Sequence, residues 1–443
     1  MTQSYTTTPA KSLRGEITIS PDKSISHRSL IFAALADGIS EIKNLLLGED
    51  VLCTLECLNH LGVKTSHSKS TLKKGDVLIV EGVGLKGLKT PSDVLYCGNS
   101  GTAMRLLLGL VCGAGLEASF TGDASLNKRP MERVTGPLAK MGGQFLTEFH
   151  DGNRFIKTHA HGGLTGIRYD SPVASAQVKT ALVLAALNAR GETIFTEPEL
   201  SRNHTEIMLQ SLGAGVVSEG TTLRVDATTK LKSFKMTVPG DISSAAFFIV
   251  GALITPDSDV LIRRVNLNPT RTGILDALMA MGANIEIIAR SEEGGEAVGD
   301  LRVHTSELKN TDVGGAIIPR LIDEIPILAL AAATASGPMT LSDAKELRVK
   351  ETDRIRAVCH ELANLGADIT ERPDGFVVMG RKRAYGNMPL LPQSKMFSSY
   401  GDHRMAMTLI IAGLNLDQPI EIDDVACINT SFPEFFELLG SIR

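Results

Sequence analysis

The sequence predicts an α/β chain assembled from six copies of one β/α unit. Two observations carry this expectation. Six short polar loops, rich in Gly, Ser and charge, run straight into apolar, small-residue stretches of helical length. A helix ending of the form Leu-x-x-Leu-Gly follows at regular intervals and is succeeded by β-like runs. The period is roughly 70–85 residues, longer than the units of solenoids, so each copy is a small layer of strands with one buried and one amphipathic helix. A chain of 443 residues also exceeds what one core usually supports, which predicts two domains.

The first loop, Pro21-Asp22-Lys23-Ser24, leads into Leu30–Leu35. Pro21 and Asp22 suit a helix start, whereas Lys23 and Arg28 oppose the helix dipole unless an anion sits beside them. The second runs from Cys97-Gly98-Asn99-Ser100-Gly101-Thr102 into Leu106–Leu108, and the third from Pro172-Val173-Ala174-Ser175-Ala176-Gln177 into Ala181–Leu184. The fourth joins Pro239-Gly240-Asp241-Ile242-Ser243-Ser244 to Phe247–Val250; it carries no strong candidate ligand and reads as a structural copy. The fifth joins Ile322-Asp323-Glu324-Ile325-Pro326 to Ile327–Leu330, and the sixth Tyr400-Gly401-Asp402-His403-Arg404 to Met405-Ala406-Met407. A helix that is apolar nearly all round is buried, and free N–H groups at its start favour an anion. Several such starts point to a central site for anionic ligands.

The helix endings are Leu58–Gly62, Leu138–Gly142, Leu209–Gly213, Leu278–Gly282 and Leu362–Gly366, with a weaker copy at Phe436–Gly440. Leu at i and i+3 anchors one helix face, and the glycine suits the left-handed position that ends a helix. Ile285–Ile288 and Phe376–Met379 are among the strand-like runs that follow.

Composition excludes several function classes. A net charge of −5 and the lack of a basic tract argue against nucleic acid. The Thr-rich start lacks the apolar core of a secretory signal, and the longest apolar runs fall short of a membrane span. Six scattered cysteines complete no zinc pattern and imply buried free thiols in a reducing, cytoplasmic setting. His159 and His161 alternate in a strand-like run without evident partners and read as a surface hairpin. Gly82-Val83-Gly84-Leu85-Lys86-Gly87 fits G-x-G-x-x-G, yet Leu88-Lys89-Thr90-Pro91 follows where a dinucleotide site needs a helix, so it reads as a turn. No cofactor and no metal are expected.

The chemistry lies in cations and isolated carboxylates. Lys345–Arg356 is densely charged before a clear amphipathic helix, and the spacing of Lys350 and Arg354 predicts a shared helix face with Glu351 beside them. Asp402, His403 and Arg404 abut an apolar helix, while Arg129 and Arg202 sit in loops. Arginine suits bidentate binding of carboxylate and phosphate. With Asp323 and Glu351, such a set could hold more than one anion and move a proton. No nucleophilic Ser–His or Cys–His pairing is evident.

Pro21–Arg28, Gly98–Arg105, Lys128–Met131, Arg348–Arg354 and Asp402–Met407 closely resemble the motifs of the 5-enolpyruvylshikimate-3-phosphate synthase family, in the same order over nearly the whole chain. Ser175–Lys179 and Ile428–Pro433 resemble its class II branch. The resemblance implies a two-domain inside-out α/β prism with three β/α units per domain and the active site in the interdomain cleft. Residues 1–21 and 239–443 would form one domain and residues 22–238 the other. The implied reaction transfers the enolpyruvyl group of phosphoenolpyruvate to the 5-hydroxyl of shikimate-3-phosphate, releasing phosphate, on the route to aromatic amino acids. It places Lys23 at both substrates, and Ser24, Arg28, Ser175, Ala176, Gln177, Arg202, Asp323 and Lys350 around shikimate-3-phosphate. Asn99, Gly101, Arg129, Gln177, Arg354 and Arg404 would hold phosphoenolpyruvate, and Lys23, Asp323 and Glu351 would be catalytic. A monomer that closes around its substrates is implied as well.

Three positions bear on how closely the chain follows the family's pattern. Thr430 stands where many members carry Lys, and Ala176 where others carry a second Ser. Gly101 is the residue many members have where glyphosate-tolerant ones can carry Ala. The sister transferase acting on UDP-N-acetylglucosamine predicts a mobile-loop Cys near residues 110–120, whereas Cys112 lies inside an apolar run. A ring-forming DNA clamp would need a positive charge that the chain lacks.

Overall fold

The computed structural model describes residues 3–67, 71–227, 230–381 and 390–443. The chain divides into two compact units: unit 1 holds Met1–Ser20, Pro239–Ser291 and Ala297–Arg443, and unit 2 holds Pro21–Val238 with Glu292–Glu296. Each has its own apolar core.

The repeat is real. Among the described residues each unit carries three small sheets. In unit 2 they are built, in spatial order, from Lys235–Thr237, Asp37–Lys43, Val77–Val83 and Lys64–His67; from Leu95–Tyr96, Ala118–Thr121, Asn153–His159 and Gln144–His150; and from Arg168–Asp170, Thr193–Thr196, Thr222–Val225 and Val216–Glu219. In all three the first pair is parallel and the others antiparallel. Unit 1 orders Asn284–Glu293, Glu296–His304, Asp259–Asn266 and Arg14–Thr18 in one sheet, and Gly337–Leu341, Gly375–Gly380 and Asp368–Arg372 in a second. Its third contains Tyr5–Thr6, Glu421–Ile422 and Met396–Phe397.

The helices of unit 2 are α1 (Lys23–Leu35), α2 (Glu49–His60), α3 (Gly101–Gly113), α4 (Glu132–Lys140), α5 (Ala176–Ala186) and α6 (His204–Ser211). Unit 1 contributes α7 (Ile242–Ile254), α8 (Gly273–Ala280), α9 (Ile318–Leu321), α10 (Ile325–Thr334), α11 (Arg354–Asn364), α12 (His403–Leu414) and α13 (Phe435–Ser441). The six polar loops lead into α1, α3, α5, α7, α10 and α12, which are buried along most of their length. Asp22, Ser100, Ser175, Asp241 and Asp402 cap five of them by accepting a backbone N–H. Glu324, before α10, makes no such bond.

The helix-ending glycines Gly62, Gly142, Gly213, Gly282 and Gly366 all have positive φ, between 85° and 106°. Gly440 departs from the expectation: it lies inside α13 and does not end the helix. The G-x-G-x-x-G stretch begins in the last two residues of the strand Val77–Val83 and continues as a turn, with no helix after it. Gly82 there is needed for packing, because a Cβ would come within 2.1 Å of the Ala36 carbonyl oxygen. His161 is not without a partner; its Nε2 lies 2.8 Å from the Cys112 carbonyl oxygen. Cys112 itself is buried in α3, and all six cysteines are free. Among the described residues no helix is long and apolar enough to cross a membrane.

Candidate functional site

In unit 2, Lys23 opens α1 and pairs with Asp50 of α2 at 3.0 Å. The protein therefore supplies one anion beside this cation itself. Arg28 is buried rather than solvated: Nε donates to Thr205 and Nη2 to Thr180, both at 2.8 Å, and Nη1 to the Ser24 carbonyl at 3.0 Å. Burial brings its pKa down to about 10, against the pull of Glu206 and Asp22, so it keeps its charge at neutral pH. Arg202 reaches the Ser24 hydroxyl at 3.5 Å. Ser175 caps α5, Ala176 is its first residue, and Thr180 donates to the Ala176 carbonyl at 2.6 Å. Thr180 thus joins the start of α5 to Arg28.

A second group gathers at the start of α3. Asn99 accepts from Arg129 and donates to Asp123 at 2.7 Å. Gln177 accepts from Arg105 and donates to the Thr102 hydroxyl at 2.9 Å. A Cβ on Gly101 would stand 3.1 Å from Arg105 Nη1 and 3.2 Å from Arg129 Nη1. Glycine here lets two guanidiniums close on the helix N-terminus, where the dipole repels them and an anion between them is favoured.

In unit 1 the expected charged residues converge. Asp323 Oδ1 lies 3.3 Å from Lys350 Nζ and 3.2 Å from Arg354 Nη1, and Oδ2 lies 3.8 Å from Arg404 Nη2. Arg354 Nη2 donates to Glu351 at 2.7 Å. Asp402 grips the same guanidinium from Nε at 2.7 Å and Nη2 at 3.2 Å. Burial works against the charge on Arg354, but Asp402, Glu351 and Asp323 outweigh it and push its pKa up.

The route to this cluster differs from the expectation. Lys350 and Arg354 do not share a helix face, because residues 350–353 are non-helical and lie between a 3₁₀ turn at Lys345–Val349 and α11. Asp353 takes the N-cap and starts the helix at Arg354, and Lys350 and Arg354 converge on Asp323. Thr430 donates to the Cys427 carbonyl at 2.8 Å and closes its own turn.

Arg105, Asp50 and Thr180 are residues of these clusters that the sequence alone does not mark as ligand-setting. Arg105 had a usable signal, a lone arginine one turn into a helix otherwise apolar. The partnerships of Asp50 and Thr180 depend on which helices are neighbours. Among the described residues no three His, Cys, Asp or Glu side chains gather as a metal site requires.

Residues 7–439 match the family model for EPSP synthase (3-phosphoshikimate 1-carboxyvinyltransferase). The 3-phosphoshikimate 1-carboxyvinyltransferase of Petrotoga mobilis is 48% identical over 437 residues, covering 98% of each chain. That of Gloeobacter violaceus is 48% identical over 444 residues, covering 100% of both. A 2.37 Å structure of EPSP synthase from Acinetobacter baumannii superimposes with a TM-score of 0.85 at 42% identity, covering 100% of this chain and 98% of that one. Full-length similarity at this level, together with the repeated units and the clustered cations, shows that the chain belongs to the EPSP synthase family.

Proposed function

We propose that the chain transfers the enolpyruvyl group of phosphoenolpyruvate to the 5-hydroxyl of shikimate-3-phosphate, with release of phosphate, and that the cation set of each unit serves this one pair of substrates. The observation that carries the reading is the shared guanidinium of unit 1: Arg354 holds Asp323 and Glu351 together beside Lys350 and Arg404. Cations for an anionic substrate and carboxylates for proton transfer then lie within a few ångströms of one another.

In this reading Arg129, Arg354 and Arg404 clamp phosphoenolpyruvate near Asn99, Gly101 and Gln177. Ser24, Arg28, Ser175, Ala176, Gln177, Arg202 and Lys350 surround shikimate-3-phosphate, and Lys23 touches both. Glu351 protonates the methylene carbon, leaving C2 cationic. The 5-hydroxyl attacks C2 while Asp323 takes its proton, giving a tetrahedral intermediate. Glu351, now a carboxylate, takes a proton back from the methyl group as the C2–O bond to phosphate breaks and Lys23 delivers a proton to the departing phosphate, which restores the alkene. The enzyme acts as a cytoplasmic monomer, a setting in keeping with six free cysteines.

The test mixes the protein with phosphoenolpyruvate and shikimate-3-phosphate and follows free phosphate. Release that needs both substrates is expected. Release only when a UDP-sugar replaces shikimate-3-phosphate would transfer the chain to the sister activity, and no release would reject the reading.

A further inference from the structure

The fourth polar loop has no ligand assigned to it, yet it is not idle. Asp241 caps α7 by accepting from the Ser243 N–H at 2.8 Å. Arg271, only 1% exposed, donates from Nη2 to Asp241 at 3.0 Å and to the Ser243 hydroxyl at 2.6 Å. The Ser243 hydroxyl then donates to Glu324 Oε1. A buried polar chain therefore runs from Arg271 through Ser243 to the residue next to Asp323.

Glu324 is unusual in its place. It stands at the N-cap position of α10 but caps nothing. It is 1% exposed, and its Oε2 has no hydrogen-bond partner among the described residues. A buried carboxylate so incompletely satisfied costs stability, and a plain capping Ser or Asp would serve the helix better. What Glu324 does have is Arg404: Oε1 lies 3.9 Å from Nη1, while Asp323 Oδ2 lies 3.8 Å from Nη2. Two consecutive carboxylates thus hold one guanidinium by charge at distances beyond hydrogen bonding. Such a guanidinium is aimed without its donors being spent on its holders.

We infer that Arg271, Ser243 and Glu324 are positioning residues for the enolpyruvyl donor: anchored by Ser243 and Arg271, the Glu324 carboxylate sets the Arg404 guanidinium for the anionic groups of phosphoenolpyruvate. The Ser243 hydrogen bond, itself fixed by Arg271, holds the Glu324 carboxylate in place, and its charge attracts Arg404. The inference rests on the assignment of Arg404 to phosphoenolpyruvate made above.

The test is steady-state kinetics of the full chain, with each substrate varied at saturation of the other and melting temperatures measured alongside. Glu324→Gln is expected to raise KM for phosphoenolpyruvate about tenfold and Ser243→Ala about threefold, with KM for shikimate-3-phosphate moving less than about twofold. Arg404→Lys raises the phosphoenolpyruvate KM by itself, and adding Glu324→Gln to it brings less than about a further twofold, because the two residues act as one unit. Should Glu324→Gln fail to fold, the smaller Ser243→Ala change is judged by the same criteria. If Arg404→Lys leaves the phosphoenolpyruvate KM unchanged, the assignment of Arg404 and this inference fall together. If Arg404→Lys acts but the other variants shift both KM values alike, shift neither, or multiply with Arg404→Lys, the positioning role alone is overturned.

Discussion

Glu351 and Asp323 share the Arg354 guanidinium, at 2.7 and 3.2 Å, so both lie within reach of any anion that guanidinium holds. Glu351→Gln keeps the shape and an oxygen that can still accept from Arg354, but it removes the transferable proton. Turnover is expected to fall about 100-fold or more while both KM values change less than about threefold. Equal losses in turnover and binding would end the acid role. His27 makes a different prediction. Burial holds its imidazole well below its ordinary pKa, with Lys23 and Arg28 adding to the effect, and Nδ1 lies 2.8 Å from the Thr54 hydroxyl. The unfolded chain takes up a proton near pH 6.5 that the folded chain refuses, so this group's stabilisation is present above that pH and is lost as pH falls below it. Melting temperatures recorded from pH 7.5 to 5 should fall, with a shallower slope in His27→Gln; parallel slopes would refute the assignment. The charged residues of both predictions are visible in the sequence because cations and carboxylates are costly beside apolar helices. Their partners are not, since Asp50 and Thr180 acquire meaning only once α2 and α5 lie beside α1.

The α3–α5 pair shows how elements bring site residues into register. A Cβ on Gly109 would lie 2.2 Å from the Ala181 carbonyl oxygen, and one on Gly113 2.8 Å from Ala185 Cα. Glycines four apart on one helix face alanines four apart on the other, so the backbones touch directly. The contact sets the starts of both helices close enough for Gln177 to link Arg105 and Thr102. Gly109→Ala is expected to destabilise the chain by about 3 kcal/mol in urea unfolding, because backbone cannot yield as a flexible side chain does. A loss below about 1 kcal/mol would mean that the helices separate freely. The helix endings were legible for a local reason: a glycine at positive φ follows from chain geometry within five residues. The Lys350–Arg354 spacing misled because a charged run carries no period of its own. Asp353 decides where that helix begins.

Each unit holds three copies of the same layer and a core of its own, and the chain passes from one unit to the other at Ser20–Pro21 and Val238–Pro239. Shikimate-3-phosphate at 100 times its Kd should therefore add about 2.7 kcal/mol to the folded state, read as a rise in melting temperature. An unchanged transition at that concentration would remove this substrate from the reading.

The repeat, the six buried helices and their polar starts, and the cations and carboxylates of the site were all present in the order of residues. These features depend on composition over a few turns of chain, where periodicity, capping and charge act locally. Folding settled what local chemistry cannot reach. It placed Arg354 between three carboxylates, closed Arg105 and Arg129 around Gly101, and turned the unassigned fourth loop into the far end of a hydrogen-bonded chain that ends at Glu324, whose carboxylate faces Arg404 by charge. Each of these arrangements joins residues far apart in the order of the chain, and only tertiary packing brings them within ångströms.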